Sequence, residues 1–200
     1  MRYALLLVFL SAACATVSYR EPASRVWLVS SATGSGSCVP IAHGPGRTIF
    51  LTARHNVGSA MRVHPGAGPS IAVERVESHA SEDVAIFWVK GRFPLVPMAQ
   101  QAPQLADRLL VAGHAFARDM MVSEGRAGRL GVVSASSIFG CSGGLVMNED
   151  GELVGVLAAI AILSAQGFPF AIEIPMPFLS HYVPLVKVRG WVDLWCKIWA

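Results

Sequence analysis

Two hundred residues, 53% hydrophobic and only 14% charged, suffice for one domain with a substantial buried core. The net charge of +3 is small and dispersed. With no basic run and no interleaving of basic and aromatic residues, it argues against a nucleic-acid partner. No internal repeat or low-complexity tract is present.

In chain order, Met1-Arg2-Tyr3 leads into an apolar run and then the small residues Ser11-Ala12-Ala13-Cys14-Ala15. This pattern predicts an export signal over residues 1–15, with an apolar core too short for the roughly 20 residues of a spanning helix. Ala13-Cys14-Ala15 fits an A-x-A cleavage site. Ser11-Ala12-Ala13-Cys14 resembles a bacterial lipobox, which would leave Cys14 lipidated at the membrane; an uncleaved signal anchor is the third reading. The expected location is periplasmic or secreted.

Apolar and alternating runs bounded by Gly, Pro and Asn then predict strands at 25–31, 37–42, 47–53, 60–63, 70–77, 84–89, 108–113, 119–125, 128–134, 144–147, 153–161 and 168–174. This is an all-β pattern, sandwich or barrel. A segment rich in Pro, Ala and Gln near 93–105 is the expected linker, and short helices are expected at 53–58 and around 176–185. In the Trp-rich tail 186–200, Trp191, Trp195 and Trp199 recur every four residues and line one helix face. That face packs on the domain core or meets a membrane surface or partner. Without Cys14, an odd number of cysteines remains: Cys38, Cys141 and Cys196. Two buried thiols are the expectation for Cys38 and Cys141, and a bridge between them the alternative.

The chemistry concentrates at Phe139-Gly140-Cys141-Ser142-Gly143-Gly144. A serine hydroxyl needs a base to take its proton and donors to hold the oxyanion it generates, and flanking glycines permit the turn that aims two N–H groups together. Such turns are also common as plain structure. Upstream, the apolar run 49–53 delivers His55, and Asp83 opens the run Val84-Ala85-Ile86-Phe87. The order His, Asp, Ser is that of one of the known triad arrangements. Glu82 is the alternative acid. His43, His64, His79, His114 and His181 are scattered without metal-ligand spacing, so neither metal nor cofactor is expected.

These segments resemble the trypsin-fold serine proteases, most closely the HtrA/Deg branch. Leu51-Thr52-Ala53-Arg54-His55 is similar to the family's LTAAHV segment, with Arg54 in place of a small residue, and Asp83-Val84-Ala85-Ile86 to DLAVL. Val111 to Phe116 resembles AIGNPFG, Val122 to Gly125 VTSGIV, Gly151 to Val156 GELIGI, and Gly167 to Pro175 the terminal GIGFAIP. The resemblance covers residues 34 to 178.

It implies two six-stranded Greek-key barrels, about 25–92 and 106–178, within a protease domain spanning 16–185, and a site in the cleft between them. His55, Asp83 and Ser142 would form the triad, and the amides of Gly140 and Ser142 the oxyanion hole. Ser136, Ala158 and Ile160 would line the substrate pocket. No acid is available there for Lys or Arg, so a small or medium apolar P1 residue of a protein or peptide substrate is expected. The disulfide that secreted animal trypsin-like enzymes carry beside the catalytic histidine is not expected, since Asn56 follows His55, and this fits the HtrA type, which generally manages without disulfides. Neither PDZ modules nor an activating N-terminus are expected. The alternatives are an inactive binding protein of the same fold, and a viral polyprotein-processing protease.

Overall fold

The computed structural model describes residues 24–66, 68–165 and 172–199, with side chains described except over 160–177. The export signal at 1–15, with Cys14, lies outside the described residues. Strands β1 (Trp27–Ser31), β2 (Gly34–Gly44), β3 (Arg47–Thr52), β4 (Arg62–His64), β5 (Ile71–Ala72), β6 (Arg75–Ser78) and β7 (Ala85–Lys90) make one antiparallel sheet in the order β5-β4-β1-β2-β3-β7-β6. Although β5 and β6 lie at opposite edges, only Val73 and Glu74 separate them. Val73 N–H donates to Met61 O on the β4 side (3.0 Å), and Glu74 N–H to Trp88 O on β7 (3.1 Å). A link this short reaches only about 10 Å, so the two edges meet and the sheet closes on itself. The expected strand 70–77 is thus one bent strand in two pieces, and the barrel counts six.

Strands β8 (Arg108–Ala115), β9 (Asp119–Arg126), β10 (Val132–Val133), β11 (Leu145–Met147), β12 (Leu153–Ala165) and β13 (Ile172–Pro184) form the second sheet, ordered β10-β13-β12-β11-β8-β9. Its edges join through the Ala127–Val133 bridge and the Ser134 N–H bond to Arg126 O (3.0 Å). Residues 91–107 carry the chain from one sheet to the other. They are stitched to both, by Val96 N–H to Pro40 O (2.8 Å) and Leu153 N–H to Pro97 O (2.7 Å).

The two-residue period of the strands explains how two barrels share one core. In β3, Phe50 points into the first barrel with Phe87 and Val89, its ring stacked on Phe87 with centroids 5.4 Å apart. The alternate residues Ile49, Leu51 and Ile86 point the other way, into a central cluster with Leu110, Leu145 and Val156 of the second sheet. Val111, Val146 and Leu157 fill the second barrel's own interior.

The C-terminal helix is α1 (Leu185–Trp199), not 176–185. Residues 176–184 continue β13, because prolines at 175, 177 and 184 lack the donor a helix interior needs and hold the preceding residue extended. Helix α1 buries Leu185, Val188, Val192 and Trp199 in the central cluster, with Trp191 and Trp195 packed beside them. The Trp stripe is therefore a packing face of the domain; the large apolar residues that α1 exposes are Val186, Leu194 and Ile198. The expected helix at 53–58 is a single 3-10 turn, Arg54–Asn56.

Candidate active site

Strand β3 ends at the fully buried Thr52, Ala53 after it is buried too, and the 3-10 turn that follows presents His55 at the surface. The His55 ring Nδ1 lies 2.7 Å from Asp83 Oδ2, and the His55 backbone N–H donates to Asp83 Oδ1 at 3.1 Å. An ionised carboxylate only accepts, so Nδ1 holds the proton and Nε2 is left as the basic nitrogen of the neutral ring. Burial raises the Asp83 pKa, but the bonds from the His55 ring and backbone and the charges of His55 and Arg54 more than offset it. The net result lies below the ordinary carboxylate value. Glu82, the alternative acid, makes no bond to His55.

The loop before Asp83 is held by two side chains. The Arg54 guanidinium donates to His79 O (3.1 Å) and Ala80 O (3.2 Å), and His79 Nδ1 accepts from Ser81 and Glu82 N–H (3.3 and 3.1 Å). Arg54, which stands where the resemblance has a small residue, is thus used to fix the segment carrying Asp83.

Ser142 sits in a turn that only glycine permits at two positions. Gly140 has φ +94° and Gly143 φ +85°. A Cβ would come within 2.4 Å of His114 O at the first and 2.0 Å of Ser37 O at the second. Phe139 C=O accepts from Phe116 N–H (2.7 Å), and Cys141 C=O from Gly144 N–H (2.9 Å). No peptide bond among the described residues is cis. Each following N–H, of Gly140 and of Ser142, therefore points away from its anchored carbonyl. Neither amide has a partner among the described residues. Two free donors flank the serine, as anion stabilisation requires.

The Ser142 hydroxyl is turned to Ala158 O, to which it donates at 3.1 Å, and makes no bond to His55. Ser142 and His55 nevertheless line one cleft, with Thr33, Gly34, Phe116 and Phe139 among its walls. Phe116 and Phe139 are both exposed there. Of the expected pocket residues, Ala158 lies against Ser142. Ser136 is half-buried, its C=O accepting from Ser123 Oγ (2.7 Å). Its neighbour Ser137 is buried, with its hydroxyl 2.7 Å from that of Ser180, which donates to Ala135 O (2.8 Å). Ile160 pairs with Ser180 in the β12–β13 ladder, and its side chain is outside the described set.

Three polar residues missed in the sequence converge on the serine turn from the first barrel: Ser37, Thr52 and Asn56. Each is buried. Their signal was there to find, as polar side chains inside or beside otherwise apolar runs. Cys38 and Cys141 are free and buried, and burial pushes both thiols up, opposed at Cys141 by its bond to Ile138.

A family model of the trypsin-like peptidase domain matches residues 34–156. No curated protein matches the sequence. Among solved structures, an inactive form of Rv3671c from M. tuberculosis H37Rv superposes with TM-score 0.68 at 18% identity, over 87% of this chain and 87% of that one. The active form of the Rv3671c protease gives 0.69 at 18%, over 86% and 81%. A serine endoprotease from Yersinia pestis gives 0.69 at 22%, over 89% of this chain and 65% of that one. At these identities the likeness speaks for the double-barrel fold. With the family model spanning most of the described residues, the chain belongs to the trypsin-like peptidase domain family.

Proposed function

We propose that the protein is an active serine endopeptidase in which Ser142 is the nucleophile, His55 the general base and acid, and Asp83 the group that orients the imidazole. The observation that carries this reading is the His55–Asp83 pair opening onto the same cleft as Ser142 and two partnerless amides. In the reaction, a substrate N–H takes Ala158 O from the serine hydroxyl, which is then free to swing to His55 Nε2 by a rotamer change. Ser142 Oγ attacks the scissile carbonyl while His55 takes its proton, and the Gly140 and Ser142 amides receive the oxyanion. His55 then returns the proton to the leaving amine, and water repeats the sequence on the acyl-enzyme.

The segments Ser134–Gly140 and Val156–Ile160 contain no acid, which supports a small or medium apolar P1 residue such as Val, Ala, Leu or Ile. The pattern of residues 1–15 supports export to the periplasm or outside the cell, where protein or peptide substrates would be met. One observation favours a second reading, an inactive binding protein: the serine hydroxyl rests on Ala158 rather than on His55. A peptide library varied at P1, with Ser142→Ala as control, separates the two. The expected result is cleavage after Val, Ala, Leu or Ile that Ser142→Ala abolishes. Faster cleavage after Arg would contradict the pocket reading, and cleavage unaffected by Ser142→Ala would contradict the nucleophile.

A further inference from the structure

The residue that follows His55 reaches across the cleft to the serine turn. Asn56 Nδ2 donates to Ser142 C=O at 2.9 Å and to Thr52 Oγ1 at 3.0 Å. Thr52 Oγ1 spends its own hydrogen on Ser37 O (2.7 Å), so towards Asn56 it can only accept. A carbonyl also only accepts. The carboxamide therefore has one workable orientation, with its NH2 group facing both acceptors. Ser37 completes the arrangement: its N–H donates to Ser142 C=O (2.7 Å), and its hydroxyl donates to Gly140 C=O (3.0 Å) while accepting His114 N–H (2.7 Å).

The carbonyls of Gly140 and Ser142, which lie on either side of the Ser142 amide and hydroxyl, are thus held from the other barrel. Asn56 is almost fully buried, and Gly36 lies so close that a Cβ there would stand 2.3 Å from Nδ2. The histidine turn and the serine turn come from different barrels and different ends of the chain. A bond from the residue beside His55 to the backbone of Ser142 fixes one relative to the other.

Resting on the reading of Ser142 as nucleophile, we propose that Asn56 is a positioning residue, whose carboxamide sets the nucleophile turn in register with His55. A misplacement of about 1 Å in such a constellation costs on the order of 100-fold in rate. Asn56→Asp keeps the shape but turns acceptor oxygens toward two acceptors. Gly36→Ala keeps the carboxamide but displaces it, since the flexible Asn56 side chain is what must yield.

The test is the kinetics of inactivation by a fluorophosphonate, with kinact and KI measured separately at a temperature where each protein is folded. Both variants are expected to lower kinact by about tenfold or more, with KI nearly unchanged, because the loss is in alignment for attack rather than in binding. Unchanged kinact in folded variants, even with lowered melting temperatures, would overturn the proposal and leave Asn56 a packing residue. A second readout is independent of activity: amide hydrogen exchange across 138–146, expected to accelerate in both variants. If the wild type is not inactivated at all, the nucleophile reading fails. The clamp then stands or falls on that exchange, and unchanged protection overturns it. If Asn56→Asp does not fold, Gly36→Ala decides the question.

Discussion

At the scale of single residues, the reading rests on what each side chain can donate or accept. Asp83 is held below its ordinary pKa by the two bonds from His55. A carboxylate of depressed pKa stabilises the fold above its unfolded value of 3.8, and that contribution is lost as pH falls through the lower folded value. The stability difference between wild type and Asp83→Asn should therefore be present at neutral pH and vanish in acid below that range, in urea melts run across pH. The same variant can hold the wrong imidazole tautomer and is expected to lose about 10⁴-fold in kcat, as in the established triad case. The thiols offer a simple check. Cys38 and Cys141 are buried and pushed up, and burial, with Asp193 adding and Arg189 opposing, lifts Cys196 to about 11. Iodoacetamide at neutral pH should leave all three unmodified in the native protein and alkylate them after denaturation, by mass mapping. The chemistry-bearing residues were legible because each sits beside an apolar run, His55 after one, Asp83 at the start of one and Ser142 in the glycine turn before one. Ser37, Thr52 and Asn56 stand out only as polar residues inside or beside apolar runs, and the hydrogen bonds that tie them to one another and to the serine turn leave no signature in local spacing.

Among the elements, the strands of both barrels were readable from apolar runs, while the chain's end was not. The tail of β13 and the start of α1 were exchanged because 176–185 contains both strand-forming Phe, Tyr and Val and a helix start just past Pro184. The prolines decide the boundary. Helix α1 seals the central cluster, so Trp199→Ala is expected to cost about 3–5 kcal/mol in urea unfolding. Trp199 also carries a buried Nε1–H with no partner among the described residues. Trp199→Phe removes that orphan donor, worth roughly 1–3 kcal/mol, together with some apolar contact, and is expected to cost far less than the alanine. An equal loss in the two variants would show that the indole ring's fit, rather than its apolar bulk, holds the helix.

For the molecule as a whole, closure explains why neither count of seven nor six strands stands alone. The first sheet carries seven labels because one strand bends between Ala72 and Arg75 to pair at both edges, a feature that period and propensity do not reveal. The two barrels meet at the central cluster and at the bonds from Ser37 and Asn56 to the serine turn, so the cleft depends on both. The most direct test of the central claim is reaction of the folded protein with a fluorophosphonate, followed by mass mapping of the adduct. The account predicts one adduct, on Ser142, abolished by Ser142→Ala and strongly reduced by His55→Ala. A folded wild type that takes no label, or takes it on another residue, would contradict it.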